Sequence, residues 1–144
     1  MAITTNAIAS SFKKELLEGK HDFTASTGSA FKLAMYNSNA VLGKSTTSYT
    51  TGSEVTSPAG YTAGGKALVN TGTSVASSVA ITNFSNLSFT NVTLTARGAL
   101  IYNTSNGNSA VAVLDFVDNK TATAGTFTIQ FPAYTTSAAI LRIS

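Results

Sequence analysis

TARGALIYNTSNGNSAVAVLDF, residues 95–116, is the stretch that decides the fold. Two apolar runs, 99–102 (ALIY) and 110–114 (AVAVL), flank a polar link, Asn103–Ser109, that is rich in Asn, Ser and Gly. Short β-prone runs joined by such a link predict a β-hairpin. Because both arms are nearly continuous apolar runs, we expect the pair to lie centrally in the protein and to be covered on both faces.

Arg97 stands just before the first arm of this predicted hairpin. At the open end of the hairpin its guanidinium would be within reach of Asp115 or Asp118 on the opposite arm. The pattern favours an ion pair at a strand end, and a contact with a partner protein is the alternative.

Most of the remaining chain carries the same kind of pattern, short segments rich in Val, Ile, Thr, Phe and Tyr between Gly, Asn and Ser. No helical pattern separates these segments, which argues against a parallel α/β architecture, because parallel strands need such crossovers. The 144 residues therefore predict one all-β domain, an antiparallel β-sandwich or jelly roll of about seven or eight strands. The predicted strands are Ala30–Tyr36, Lys66–Asn70, Val79–Phe84, Leu87–Leu94, Gly98–Tyr102, Ala110–Phe116, Thr126–Phe131 and Ala138–Ile143.

One segment near the N-terminus has the period of a helix, predicted from about Thr5 to Glu18. Thr5 or Asn6 would cap its start, and Gly19 lies where a C′ residue belongs. The chain then divides into a helical arm, residues 1–22, and a β-sandwich, residues 23–144.

The apolar stripe of this helix, Ile8, Phe12 and Leu16 with Leu17 beside them, has two interpretations. It packs on the sheet of its own domain, or it docks on another subunit. Phe12, Leu16 and Leu17 are therefore candidate interface residues.

Residues 46–65 are polar and contain Pro58 and four glycines, which predicts a long loop or a pair of loose turns. A long loop in a small domain is commonly a contact or binding element. Its two aromatic residues, Tyr49 and Tyr61, are candidate partner contacts together with Arg97.

The charge content argues against nucleic-acid binding. Only 10% of the residues are Asp, Glu, Lys or Arg, against about 25% in an average domain. The net charge of +3 is spread along the chain, whereas a nucleic-acid binder needs a basic stripe. No apolar run approaches the ~20 residues of a membrane span, and the first residues lack the pattern of a signal peptide. We therefore expect a soluble protein that is made without export.

The motifs that could carry chemistry are each incomplete. Gly60–Ala67 (GYTAGGKA) resembles a phosphate-binding loop, but Ala67 stands where a Mg²⁺-binding hydroxyl belongs. His21 is the one histidine and there is no cysteine, which leaves too few ligands for zinc. We expect no enzyme and no cofactor or metal.

The carboxylates outside the helical region are Glu54, Asp115 and Asp118. Paired carboxylates are the remaining route to hydrolysis, and a pocket that gathered these three would overturn the non-enzymatic expectation.

Several ordered blocks of the chain resemble a recurrent small structural protein of tailed bacteriophages. The resemblance runs from Ala2 to Ile143 through the blocks AITTNAIASSFKKELLEGKHDF, FKLAMYNSNA, GYTAGGKALVN, TARGALIYN, AVAVLDF, FTIQFPAY and AILRI.

This resemblance implies a virion structural protein present in many copies on the particle. A capsid decoration or cement protein is the first expectation, with the major capsid protein as partner and a homo-oligomer as the assembled form. A tail, neck or fibre-base component is the second. A host-glycan-binding module acting through residues 46–65 is the third.

Overall fold

The computed structural model describes residues 3–56 and 59–144, and in this part of the chain there are eight strands and one helix. They form two antiparallel sheets, which confirms the predicted all-β sandwich with one N-terminal helix. The elements are β1 (Ala7–Ile8), α1 (Ser10–Leu17), β2 (Phe31–Tyr36), β3 (Lys66–Ala67), β4 (Asn70–Ala76), β5 (Val79–Phe84), β6 (Leu87–Asn103), β7 (Ser109–Ile129) and β8 (Leu141–Ile143).

The larger sheet has the strand order β1-β7-β6-β2-β3 and the smaller one β4-β5-β8. The predicted hairpin, β6 and β7, forms the centre of the larger sheet. At its turn, Tyr102 pairs with Ala110 and Asn103 pairs with Ser109. Consecutive residues on both arms are buried, so both faces of this hairpin are covered, as the unbroken apolar runs predict.

The hairpin extends much further than its apolar centre. The segments Leu87–Leu94 and Gly98–Tyr102, predicted as two strands, are one strand of 17 residues, and the segments Ala110–Phe116 and Thr126–Phe131 belong to one strand of 21 residues that ends at Ile129. Many residues between the predicted segments pair in the ladder, as Thr95 does with Thr121 and Ala96 with Lys120. Bulges interrupt the pairing only locally, and it continues on either side of them.

The largest bulge is in β7. Gly98 pairs with Asp115 and Ala96 pairs with Lys120, so residues 116–119 loop out of the ladder. Val117, inside this 116–119 bulge, has a positive φ of 71°.

Edge strands of both sheets differ from the prediction. The predicted strand Lys66–Asn70 contains the two-residue strand β3, at an edge of the larger sheet, and the first residue of β4, an edge strand of the smaller sheet. The rest of the seven-residue strand β4 lies in a segment for which the sequence predicts no strand. The predicted strand Ala138–Ile143 begins only at Leu141.

Phenylalanine rings join the two sheets. The ring of Phe31 on β2 stacks on Phe23 at 4.7 Å and meets Phe84 on β5 at 5.6 Å. Phe84 in turn contacts Phe131 at 5.7 Å, and all four side chains are buried. This phenylalanine cluster is the part of the core that both sheets share.

The helix is shorter than predicted, because Ala7 and Ile8 pair with Val113 and Ala112 of β7 instead. Neither Thr5 nor Asn6 caps it; Ala9 occupies the N-cap position without a side-chain bond. Its end is as predicted, since Gly19 has a φ of 72° and donates its N–H to the carbonyl of Leu16.

Candidate functional site

Arg97 lies in the interior of β6 and forms an ion pair with Asp115, one of the two partners expected for it. The prediction of a strand end was wrong, because the ladder continues beyond the 116–119 bulge. Both side chains are largely buried, and Asp118 is exposed.

Asp115 holds the base of this bulge. The carboxylate oxygen that Arg97 contacts also accepts the N–H of Val117 at 2.8 Å. The backbone N–H of Asp115 donates to the Asn6 side chain at 2.6 Å. The Arg97 guanidinium lowers the pKa of the Asp115 carboxyl, with the Val117 N–H adding to the effect. Arg97 therefore fixes a bulge, which is a structural role.

Within residues 46–65, the described parts 46–56 and 59–65 are held against the larger sheet by a buried carboxylate. Glu54 Oε2 accepts the hydroxyl of Tyr49 at 2.6 Å, and Oε1 accepts the hydroxyl of Tyr61 at 2.7 Å and the N–H of Gly64 at 2.7 Å. A buried carboxylate needs such charge-assisted hydrogen bonds to offset its lost hydration. We call Glu54, Tyr49, Tyr61 and Gly64 the Glu54 clamp.

Two further tyrosines extend the clamp. The Tyr36 hydroxyl donates to the carbonyl of Thr50 at 2.6 Å, and the Tyr102 hydroxyl donates to the carbonyl of Gly64 at 2.6 Å. Burial raises the pKa of Tyr36 and Tyr102, and the negative charge of Glu54 adds to that rise. These hydroxyls stay protonated as donors, so they hold the backbone of Thr50 and Gly64 against the larger sheet.

The candidate contacts Tyr49 and Tyr61 are thus brought together, but turned inward. Tyr61 is only 3% exposed, and Tyr49 is half-buried with its ring stacked on Tyr102 at 4.7 Å. Burial also raises the pKa of Tyr61, which donates to Glu54 while accepting the N–H of Met35 at 2.9 Å. In this conformation neither ring is a free platform for a partner.

The glycines of Gly60–Ala67 serve close packing. Gly65 has a φ of 79°, and a Cβ there would overlap the backbone of Leu33. Lys66 at the end of the motif reaches the carbonyl of Ser88 at 2.5 Å and lies over the Phe89 ring at 5.7 Å. The motif is a tight turn into β3.

His21 is buried between the helix and the central hairpin, a contact that the sequence did not predict. Its Nε2 lies 2.7 Å from Glu15 Oε2 and its Nδ1 lies 2.9 Å from the Asn103 amide nitrogen. The amide donates to Nδ1, so Nε2 carries the proton toward Glu15. Both ring nitrogens are used, and the imidazole ties α1 to the hairpin link.

The three candidate interface residues of the helix differ in exposure. Phe12 is buried and packs against the His21 ring at 4.7 Å, whereas Leu16 is half-buried and Leu17 is 92% exposed. The stripe therefore packs on its own domain through Phe12, and Leu17 points away from it.

A groove of about 880 Å³ lies between α1 and the smaller sheet, within the range of about 300–1,000 Å³ usual for binding sites. Its apolar lining includes Phe12 and Leu16 on one bank and Ile81, Leu141 and Ile143 on the other. No local pattern in the sequence indicates this groove, because strand order and sheet packing create it.

Comparisons of the chain with family models, with curated proteins and with solved structures found no match. Across residues 3–56 and 59–144, no cluster of three or more His, Cys, Asp or Glu side chains is suited to a metal ion. In those same residues, no helix has the length and apolar character of a membrane span.

Proposed function

We propose that this chain is a structural protein of a tailed-phage virion and that it decorates the head shell as a cement protein. The proposal rests on the resemblance of its sequence blocks to such proteins. The observation that best supports it is the use of polar side chains inside the fold, where the Glu54 clamp, the Arg97–Asp115 pair and His21 each hold one segment against another.

A cement protein needs a rigid body that keeps one shape while it bridges neighbouring subunits. The Glu54 clamp ties Tyr49, Tyr61 and Gly64 together against the larger sheet, and the phenylalanine cluster joins the two sheets. A rigid body loses little conformational entropy on binding, so more of the contact energy stabilises the shell.

The surface suits close packing against a neutral neighbour. Threonines 121, 123, 126 and 128 line the outer half of β7 and are exposed, and Val117 protrudes from the 116–119 bulge. Contacts of hydroxyls and small apolar groups are insensitive to salt, in contrast to charge-steered association.

The host-glycan alternative has less support. It relied on Tyr49 and Tyr61, and both rings pack inward in the Glu54 clamp. A tail or neck component remains the second candidate from the resemblance, and copy number separates it from decoration.

The test uses purified particles of the phage whose genome encodes this chain. Densitometry is expected to give hundreds of copies per particle for a shell protein, and tens or fewer would indicate a tail or neck position. Particles that contain none of this polypeptide would contradict the virion assignment altogether.

A second experiment measures shell stabilisation. Purified chain is added to shells that lack it, followed by sedimentation and thermal disruption. We expect saturable co-sedimentation and a higher disruption temperature, because ligand that binds only the assembled state adds RT ln(1 + [L]/Kd) per site. Co-sedimentation without a rise in that temperature would contradict the cement role.

A further inference from the structure

A row of apolar side chains crosses the smaller sheet. Val75 of β4 pairs with Ala80 of β5, and Ala80 pairs with Ile143 of β8. Directly opposed residues of antiparallel strands point to the same face, so the three form one continuous row. Val75 is 71% exposed and Ile143 is 59% exposed. We call these three residues the β-row.

The β-row lies on the core-facing side of its sheet. Along β5 the side chains alternate, so Ala80 shares a face with Thr82 and Phe84. Phe84 meets Phe31 of the larger sheet in the phenylalanine cluster. The core-facing side therefore continues past the phenylalanines and leaves the core at the β-row, where its apolar residues are open to water.

The groove of about 880 Å³ between α1 and the smaller sheet lies beside the β-row. Ala80 and Ile143 belong to one bank and Leu16 belongs to the bank formed by α1. Leu17 follows Leu16 in the helix and is 92% exposed. One chain thus carries an apolar projection and, beside it, an apolar groove with an exposed rim.

We propose that a second copy of this chain covers the groove across a two-fold axis, with Leu17 of each copy inserted against the β-row of the other. Such an interface is self-complementary, because the projection and the groove are adjacent on the same surface. It buries the exposed Leu17, Val75 and Ile143 together, which leaves less apolar surface in water.

The charges beside the groove support a second copy as the occupant. Asp22 lines the bank that follows α1, and Arg142 lines the bank formed by β8. Among the residues that the structure describes, neither forms an ion pair; Asp22 accepts the Thr24 N–H, and Arg142 donates to the Thr136 carbonyl. Because both residues line the groove, a second copy related by a two-fold axis brings the side of one groove that carries Asp22 toward the side of the other that carries Arg142.

Engineered cysteines test this contact directly, because the chain has no cysteine of its own. Leu17→Cys and Ile143→Cys proteins are mixed and oxidised, so that any disulfide between the two variants is intermolecular. We expect this pair to cross-link rapidly, whereas Val41→Cys mixed with Ile143→Cys serves as the control. Val41 is 69% exposed and does not line the groove. Cross-linking no faster than the control would overturn the proposal.

Light scattering after size-exclusion chromatography gives the second test. The wild-type chain is expected to be a dimer, and Leu17→Arg is expected to weaken dimerisation by about a hundredfold or more, because two leucines are lost per interface. Val41→Arg should leave the dimer intact. A monomeric wild type, a dimer unchanged in Leu17→Arg, or a larger ring would overturn the two-fold arrangement. Circular dichroism confirms that each variant is folded.

The interface requires only this chain, so its test does not depend on particle binding. A dimer that fails to bind shells would contradict the proposed function alone. A monomer that binds shells would contradict only the two-fold interface.

Discussion

Gly65 shows how a single residue position can decide the course of a loop. Its φ is 79°, in the region that favours glycine, and a side chain there would overlap the carbonyl group of Leu33. The glycines of a sequence that resembles a phosphate-binding loop are thus explained by the close approach of two backbones. A substitution at this position must move β2 or the loop.

Gly65→Ala is predicted to lower the free energy of unfolding by more than about 3 kcal/mol, because it combines left-handed backbone strain with overpacking. Gly107→Ala is the matched control: Gly107 also has a positive φ, 57°, but a Cβ there would meet nothing within 4 Å. We expect Gly107→Ala to lower the free energy of unfolding by only about 1–2 kcal/mol. Urea denaturation measures both, and equal losses would contradict this account.

Single residues also show what the sequence could predict. The pairing of Arg97 with Asp115 was correct, because opposite charges near facing arms of one hairpin are close in sequence. The contact of His21 with Asn103 joins residues far apart in the chain, and no local pattern indicates it. The Glu54 clamp was missed for a related reason: a polar loop gives no sign that its acid and tyrosines point inward.

At the scale of elements, the central feature is a hairpin whose strands have 17 and 21 residues. The apolar centre was predicted, with its turn and its burial on both faces. The extension was divided into separate strands because polar residues and Gly indicate turns as readily as bulges. Pairing partners distinguish the two, and those are set by the fold. The N-terminal helix was overextended because the period of Ile8 and Phe12 fits a helix, whereas Ile8 belongs to a sheet edge.

The 116–119 bulge makes stability depend on pH. The pKa of Asp115 is lowered in the folded protein by Arg97, so its stabilisation is present above the ordinary Asp pKa of about 3.9 and is lost as pH falls through the lower folded value. Asp115→Asn is predicted to lower the free energy of unfolding by about 1–3 kcal/mol at pH 7. The loss should be much smaller at a pH below the folded pKa of Asp115, where the wild-type carboxyl is also uncharged. Urea denaturation across the acid range measures this difference.

Asp118→Asn provides the control for that experiment, because Asp118 lies three residues further on and is exposed. Its loss of stability at pH 7 should stay within about 0.5 kcal/mol. If Asp115→Asn keeps the full acid dependence of the wild type, the ion pair does not stabilise the bulge.

At the scale of the whole molecule, the two sheets form one body through the phenylalanine cluster. The fold class followed from the sequence because short β-prone segments without intervening helices permit few architectures. The division into five and three strands did not follow, and neither did the groove between α1 and the smaller sheet. Both depend on contacts between segments far apart in the chain.

Phe84→Ala is predicted to lower the free energy of unfolding by about 3–5 kcal/mol, since it opens a cavity where the sheets meet. That loss is a large part of the free energy of unfolding of a typical domain, which is about 5–15 kcal/mol. Val69→Ala, at an exposed position, should change it by less than about 0.5 kcal/mol. Thermal unfolding monitored by tyrosine fluorescence compares them, and a Phe84→Ala loss as small as that of the control would show that the cluster does not join the sheets.

The pairing of β1 with β7 has a consequence for biosynthesis. Ala7 lies opposite Val113, so during synthesis β1 waits for a partner made about a hundred residues later. Ile3 also waits for a segment made later, because it packs against Gly98. The nascent chain must therefore extend through its central hairpin before β1 can dock, so the larger sheet gains this edge strand late in synthesis.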